Sequence, residues 1–279
     1  MKLLRAQEIP IAVQEGSYDV GITGQDWIEE TGVDVGVLFN LRYGAVKLVI
    51  AIPESAQANS AEEYFDIVWE SESPLRLSTE YLNIATRYVK SFARYRKRFG
   101  NKDPLVITPW WMRGDNPATR IYLSFGATEA KPPEEADAVL DTVQTGATLK
   151  ANKLRVVDTV LQSTAVFIAN KQSLRNMNKR EKIYDVLTLL KGVVEADSKL
   201  HIFVNVKKEN LDELLFRLPA LKSPTISPLS NSDWFSINTV IDRSEFFKLL
   251  PTLRKLAQGL VVHEPQQILS LEDIGREEN

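Results

Sequence analysis

The stretch DAVLDTVQTGATLKAN, Asp137–Asn152, sets the architecture of this chain. An apolar run from Ala136 to Val143 reads as a strand, and it gives way to a loop of small residues at Thr145-Gly146. A helical turn is predicted to start at about Leu149. A strand that passes through a tight loop into a helix is the repeating step of an α/β fold. Such a loop points several backbone N–H groups into one concavity, and a helix start behind it adds partial positive charge. Gly146 allows close approach of a ligand, Thr145 and Thr148 offer hydroxyls, and Lys150 is a nearby cation. Asp141 stands at the carboxyl end of the strand, where open α/β sheets bind ligands and where a carboxylate can accept from ribose hydroxyls. Phosphate in the loop and sugar on the aspartate describe a ribose 5-phosphate site. The same residues also fit an ordinary connection in which Thr145 caps the helix. The spacing of a Walker loop and the GxGxxG fingerprint are both absent.

Working outward, Lys47–Pro53 is a near-continuous apolar run of the kind found in buried parallel strands. Leu75–Thr79, Asp19–Thr23 and material in Val156–Asn170 also read as strands, and Leu3-Leu4 reads as the tail of another. Helices are predicted at about Pro10–Glu15, closed by Gly16, and from Gln25 on. A basic helix is predicted over Ile84–Phe99. Its Arg87, Lys90, Arg94, Arg96, Lys97 and Arg98 fit a solvated face better than a phosphate trap. Gly100–Asn116, with Trp110 and Trp111, reads as loop. Interleaved strands and helices predict an α/β architecture with mainly parallel sheets.

The last hundred residues have a different rhythm. A helix over Glu181–Glu195 precedes a strand at Leu200–Val206, a helix at Glu209–Leu218, and strands at Thr225–Leu229 and Trp234–Ile241. A helix at Ser244–Leu256 and a strand at Gly259–Val262 complete a βαββαβ order, that of a ferredoxin-like domain. The residues after Ser270 are acidic and are expected to fray.

Composition narrows the function. The 279 residues are 44% hydrophobic and 25% charged, with a net charge of −3, so there is no basic excess for a nucleic acid to exploit. Without cysteine, disulfides and thiolate chemistry are excluded. The two histidines, His201 and His263, sit in apolar strand-like stretches and read as structural or surface residues. No stretch has the length of a membrane span, and the first residues have no signal-like apolar region, which predicts a cytoplasmic protein.

Six motifs in order add a resemblance. Asp137–Asn152 resembles the phosphoribosyl-diphosphate loop ADxxxDxVxTGTTLRAN of the ATP phosphoribosyltransferases. Arg5–Pro10 resembles that family's RAQDIP, Asp19–Trp27 its DxGITGxD, and Ser78–Asn83 its ATEYPN. Phe125–Glu129 is similar to SGATE, and Pro224–Leu229 to the PTVSPL of the long form's regulatory domain. The resemblance implies two periplasmic-binding-protein-like lobes with substrates in the cleft. In lobe terms it implies residues 1–45 with 153–180, residues 46–152, and a ferredoxin-like domain over 181–279. It also implies transfer of phosphoribose from 5-phosphoribosyl 1-diphosphate to ATP, with Mg2+ carried by the substrate, a hexamer, and inhibition by histidine. By motif, Asp141 and the loop Gln144, Thr145, Gly146, Ala147, Thr148 and Leu149 would hold ribose and 5-phosphate. Arg5, Asp26, Trp27, Tyr81 and Glu129 would serve the nucleotide. Asn205, Leu221, Thr225, Val240 and Gly259 would line the histidine pocket, although Leu221 and Val240 also fit plain core packing.

The chain departs from the family pattern in several places. Gln144, Ala147, Lys150 and Leu82 stand where the family has Glu, Thr, Arg and Pro. Ala147 forgoes one hydroxyl contact, about 1 kcal/mol to a charged phosphate. The family's first strand and P-K-G-[RS]-L segment have no counterpart after Met1, so the first lobe is expected to be incomplete and the start mis-assigned or the chain a fragment. Two alternatives follow: a paralogue that binds nucleotide or histidine without chemistry, and a solute receptor, against which the phosphate loop argues.

Overall fold

A computed structural model describes residues 1–219 and 224–269. Two compact units are formed, Met1–Asn176 and a second that begins at Met177.

The first unit starts with α1 (Ile9–Gln14), β1 (Val20–Gly24), α2 (Gln25–Thr31), β2 (Gly36–Asn40) and β3 (Val46–Pro53). It continues through α3 (Ala61–Glu70), β4 (Leu75–Thr79), α4 (Leu82–Ser91), α5 (Ala93–Phe99), β5 (Pro104–Ile107), β6 (Met112–Arg113) and β7 (Asn116–Leu123). It closes with β8 (Ala138–Val143), α6 (Ala147–Ala151), β9 (Leu154–Ser163), β10 (Ala165–Ala169) and α7 (Lys171–Arg175). Two sheets result, a three-stranded one in the order β1-β10-β2 and a seven-stranded one in the order β6-β5-β7-β4-β8-β3-β9. These are the sheets of two α/β lobes, and the chain crosses between them after β2 and again at Thr164, rather than near residue 153.

The sheets are mixed, which corrects the expectation of mainly parallel pairing. β4 pairs in parallel with β7 and β8, and β5 with β7. β3 runs antiparallel to both β8 and β9, and the small sheet is antiparallel throughout. The apolar run of β3 reflects burial on two faces, not strand direction. Leu48, Ile50 and Ile52 enter the large core with Phe65, Leu77 and Leu140, while Val49 and Ala51 pack with Val139, Leu149 and Leu154 on the other side. Lateral neighbours of either direction satisfy such a strand.

Other expectations are also revised. Leu3-Leu4 lies outside any strand. The basic helix is broken at Phe92, which is extended at φ −68° and ψ 136°, because its buried ring must turn onto Phe65. Most of its cations are spent within the protein: Arg94 on Asp66, Lys90 on Asp103, Arg98 on the Trp69 carbonyl and Arg87 on the Glu29 carbonyl. Gly100–Asn116 is no loop but contains the β5–β6 hairpin at the sheet edge. Its strands are too short for a clear alternating pattern, and partnership with β7 stabilises them.

Caps explain several helix starts. The Ser60 hydroxyl accepts from the Glu63 N–H of α3, while the Glu63 carboxylate accepts from the Asn59 N–H. Asn170 accepts from the Gln172 and Ser173 amides at the start of α7. α4 has no cap of its own. Its Asn83 and Ile84 amides each donate, at 2.9 Å, to Glu30 on α2 in the other lobe.

The second unit contains α8 (Met177–Asp197), β11 (Lys199–Lys207), α9 (Leu211–Arg217), β12 (Thr225–Pro228), β13 (Trp234–Asp242), α10 (Arg243–Leu256) and β14 (Ala257–His263). From β11 on, this is the βαββαβ order, and the antiparallel sheet β12-β13-β11-β14 has ferredoxin-like topology. Leu200, Ile202, Val204, Val206, Ile237 and Ile241 on one sheet face pack with Leu214, Leu249 and Leu253 from α9 and α10. His201 and His263 face each other directly across β11 and β14, and the His201 Nε2 is hydrogen-bonded with Asn238 Oδ1.

Candidate functional site

The central parallel strands β4, β5, β7 and β8 all end at one edge of the seven-stranded sheet. At that edge a pocket of about 370 Å3 is lined by Val46, Glu129 and every residue from Asp141 to Leu149 except Ala147. Two devices fix its floor. Asp137, the first acid of the motif, does not face the pocket: its carboxylate holds Arg76 of β4 at 2.8 Å and accepts from the Arg76 backbone N–H at 2.7 Å. This ion pair pins the start of β8 against β4, so that Asp141, four residues on, emerges at the rim. Leu149, buried among Val49, Val139 and Leu154, anchors α6 beneath the loop.

Gly146 adopts φ 78° and ψ 1°, a left-handed conformation open to glycine at little cost, and it caps α6. No side chain caps this helix, so Thr145 is not the N-cap that the local pattern allowed. Among the described residues, none of the main-chain amides of Gln144 through Leu149 donates to a protein carbonyl. Free amides in series, followed by a helix start, form an anion cradle. Thr145 and Thr148 line the same concavity and are exposed, as is Lys150 beside it.

Asp141 accepts from the Thr142 N–H at 2.6 Å. Its carboxyl is nevertheless pushed above the ordinary carboxylate range, first by burial and then by the negative charges of Glu129 and Glu80. Glu80, at the end of β4, accepts from the Gly126 N–H at 3.0 Å and so ties the segment that leads to Glu129. Glu80 lies within the Ser78–Asn83 motif but carried no role in the sequence reading. Glu129 thus lines the pocket with Asp141, and Glu80 adds negative charge nearby, at a pocket whose loop favours anions. A ligand that satisfies both halves is a phosphate ester whose other end is hydroxylated or carries cationic charge.

The remaining candidates are distributed less simply. Arg5 is exposed, just ahead of α1, with its backbone engaged with Glu8. Asp26 and Tyr81 are 4% and 5% exposed, and each is occupied by the other. The Tyr81 hydroxyl donates to Asp26 Oδ2 at 2.7 Å, and the Ser163 hydroxyl donates to Oδ1. Trp27 stacks on Tyr81 with ring centroids 4.6 Å apart. Burial, the Asp26 bond and nearby Glu80 and Asp141 all push the Tyr81 phenol far up, so it remains a donor. These residues form a clasp between the two lobes. Ser163, its third member, comes from a distant strand, and pattern alone gave no sign of it.

In the second unit, Asn205, Thr225, Val240 and Gly259 all lie on the sheet face opposite α9 and α10. Asn205 pairs directly with Gly259, and its Nδ2 lies 3.6 Å from where a Cβ on that glycine would stand. Thr225 sits across from Asn238, and Val240 across from His201. Val240 is therefore not in the apolar core. Leu221 lies outside the described residues.

Residues 5–192 match the ATP phosphoribosyltransferase family and residues 196–265 match the HisG C-terminal domain. An ATP phosphoribosyltransferase of Thermodesulfovibrio yellowstonii is 37% identical over 273 residues, covering 96% of this chain and 83% of its own. One from Solibacter usitatus is 37% identical over 268 residues, covering 94% and 82%. Among solved structures, the ATP phosphoribosyl transferase (HisG:HisZ) complex from Thermotoga maritima shares the fold, with a TM-score of 0.52 and 24% identity over 69% of this chain and 78% of that one. The family match over most of the chain and the relatives at this identity together place the chain in the ATP phosphoribosyltransferase family.

Proposed function

We propose that this chain joins ATP to 5-phosphoribosyl 1-diphosphate, the first step of histidine biosynthesis, at the pocket between Asp141 and Leu149. The observation that carries the assignment is the row of free amides after Val143 in the same pocket as the Asp141 carboxylate. A non-catalytic nucleotide- or histidine-binding role is not favoured, because the relatives are named as the transferase.

In this reading the Gln144–Leu149 amides and the Thr145 and Thr148 hydroxyls hold the 5-phosphate, and Asp141 accepts from the ribose hydroxyls. Adenine N1 uses its lone pair to form the bond to the anomeric carbon. The carbon–oxygen bond to diphosphate breaks, diphosphate leaves with the electron pair, and the carbon inverts. Cationic charge develops on the ribose ring in such transfers. The negative charges of Glu129 and Glu80 oppose ionisation of Asp141 in the free site, and cationic charge on the ribose offsets them. No covalent nucleophile is needed; alignment of the two substrates supplies most of the acceleration.

Among the described residues no group of three or more His, Cys, Asp or Glu side chains is placed to hold a metal ion. In this proposal Mg2+ would be carried by the substrate diphosphate, whose charge it would neutralise. Arg5 and Glu129 remain the nucleotide-side candidates, while Asp26, Trp27 and Tyr81 are reassigned to holding the lobes in register. Histidine as an inhibitor on the open face at Asn205, Thr225, Val240 and Gly259, and a hexameric assembly, complete the proposal, as does a cytoplasmic location. No helix among the described residues is long and apolar enough to cross a membrane.

The test is formation of phosphoribosyl-ATP, followed by absorbance, from ATP, phosphoribosyl diphosphate and Mg2+. Asp141→Asn keeps shape and removes charge, and turnover should drop at least about tenfold, the equivalent of one charge-assisted hydrogen bond. Undiminished turnover in that variant sinks the role of Asp141.

A further inference from the structure

With Asp26 and Tyr81 turned inward, no exposed ring among the family-derived candidates is left to receive the adenine of ATP. The β5–β6 hairpin supplies one. Trp110 at its tip is 72% exposed, and Phe125, in the loop after β7, is 67% exposed. The two rings meet edge to face with centroids 5.9 Å apart. Neither ring rests on a flexible tether. The Thr108 hydroxyl accepts from the Trp111 N–H at 3.0 Å and from the Trp110 N–H at 3.3 Å, and donates to the Trp111 carbonyl at 2.9 Å. The Phe125 loop is held by Glu80, through the Gly126 N–H, and leads within four residues to Glu129 in the pocket wall.

We infer that Trp110 and Phe125 form an aromatic shelf that stacks the adenine of ATP and so sets the base preference of the nucleotide site. The sheet order sets the scale. β7 and β8 are separated by β4 alone, so the ends of these two strands lie two strand spacings apart, roughly 10 Å. That is comparable with the reach from a 5-phosphate, across the ribose, to a base that meets the anomeric carbon. Attack through N1 uses the edge of the purine and leaves both π faces open for stacking. Exposed aromatic rings held rigidly beside a charged pocket favour a flat, weakly hydrated ring system over solvent. The inference rests on the phosphoribosyl reading of the loop, and it concerns the second substrate.

The experiment titrates the full chain and its Trp110→Ala, Phe125→Ala and Trp110→Phe variants by calorimetry with three probes: ATP, inorganic tripolyphosphate and phosphoribosyl diphosphate. Both alanine variants are expected to weaken ATP at least about tenfold, as loss of a stacking ring does. Tripolyphosphate and phosphoribosyl diphosphate should bind as before, and Trp110→Phe should recover most of the ATP affinity. As a second readout on the unaltered chain, ATP should quench tryptophan emission, and Trp110→Phe should remove that quenching. The shelf is overturned if ATP binds both alanine variants as it binds the parent, if tripolyphosphate is weakened equally, or if the parent chain does not bind ATP. Failure of the parent to bind phosphoribosyl diphosphate would instead refute the loop assignment, and the ATP series would still decide the shelf.

Discussion

Tyr81→Phe is the sharpest test of how the two lobes are joined. The substitution removes one oxygen and keeps the ring that stacks on Trp27 at 4.6 Å. It deletes a 2.7 Å bond to a carboxylate that is 4% exposed. Water cannot replace the lost donor at a site closed on both sides, so Asp26 Oδ2 is left without its partner while Ser163 still serves Oδ1. A hydrogen bond to a buried charge contributes about 1.5–3 kcal/mol. For a unit of this size that corresponds to a fall in Tm of roughly 3–12 °C. Urea denaturation of the parent, Tyr81→Phe, Asp26→Asn and the double variant gives the coupling directly. The expected cycle is strongly non-additive, with a coupling energy above about 1 kcal/mol. KM for ATP should rise far less than stability falls. A stability loss below about 0.5 kcal/mol, additive single effects, or a selective loss of ATP affinity would refute the clasp and return Tyr81 to the nucleotide.

Other outcomes follow from the same geometry. Glu30→Ala strands two amides at the start of α4 and should cost about 2–4 kcal/mol by denaturation, whereas Glu30→Gln, which keeps one acceptor, should cost about half. Burial raises the Glu30 carboxyl above 4.5, so its ionisation opposes folding: stability on this account falls as pH rises from about 4.5 through the raised value, and Glu30→Gln should flatten that part of the profile. The Asp141 carboxyl is also raised, so phosphoribosyl diphosphate binding should strengthen as pH climbs past a point above 3.8, a limb absent from Asp141→Asn. Gly146→Ala meets no steric obstacle, the nearest atom being Val143 Cγ1 at 3.9 Å, and should cost about 1–2 kcal/mol from φ 78° alone; a neutral substitution in a thermal melt would mean the loop relaxes out of that conformation.

Local pattern carried much of this protein. The βαββαβ order of the second unit was readable because its strands alternate cleanly and its helices are amphipathic, as in Leu200–Val206 against α10. The strand–loop–helix step at Asp141–Leu149 was readable for the same reason, and ordered motifs supplied the family. Strand direction was not, since an apolar run such as Lys47–Pro53 records burial on two faces and is indifferent to which way its neighbours run. Asp141 was readable as the site acid from its place at the end of the strand, whereas the pairing of Asp137 with Arg76, 61 residues away, was not. The clasp of Asp26 with Tyr81 and Ser163 and the cap that Glu30 provides for α4 join residues far apart along the chain. No local periodicity encodes such pairs: a buried carboxylate takes whatever donors packing brings to it, and packing is a property of the whole fold.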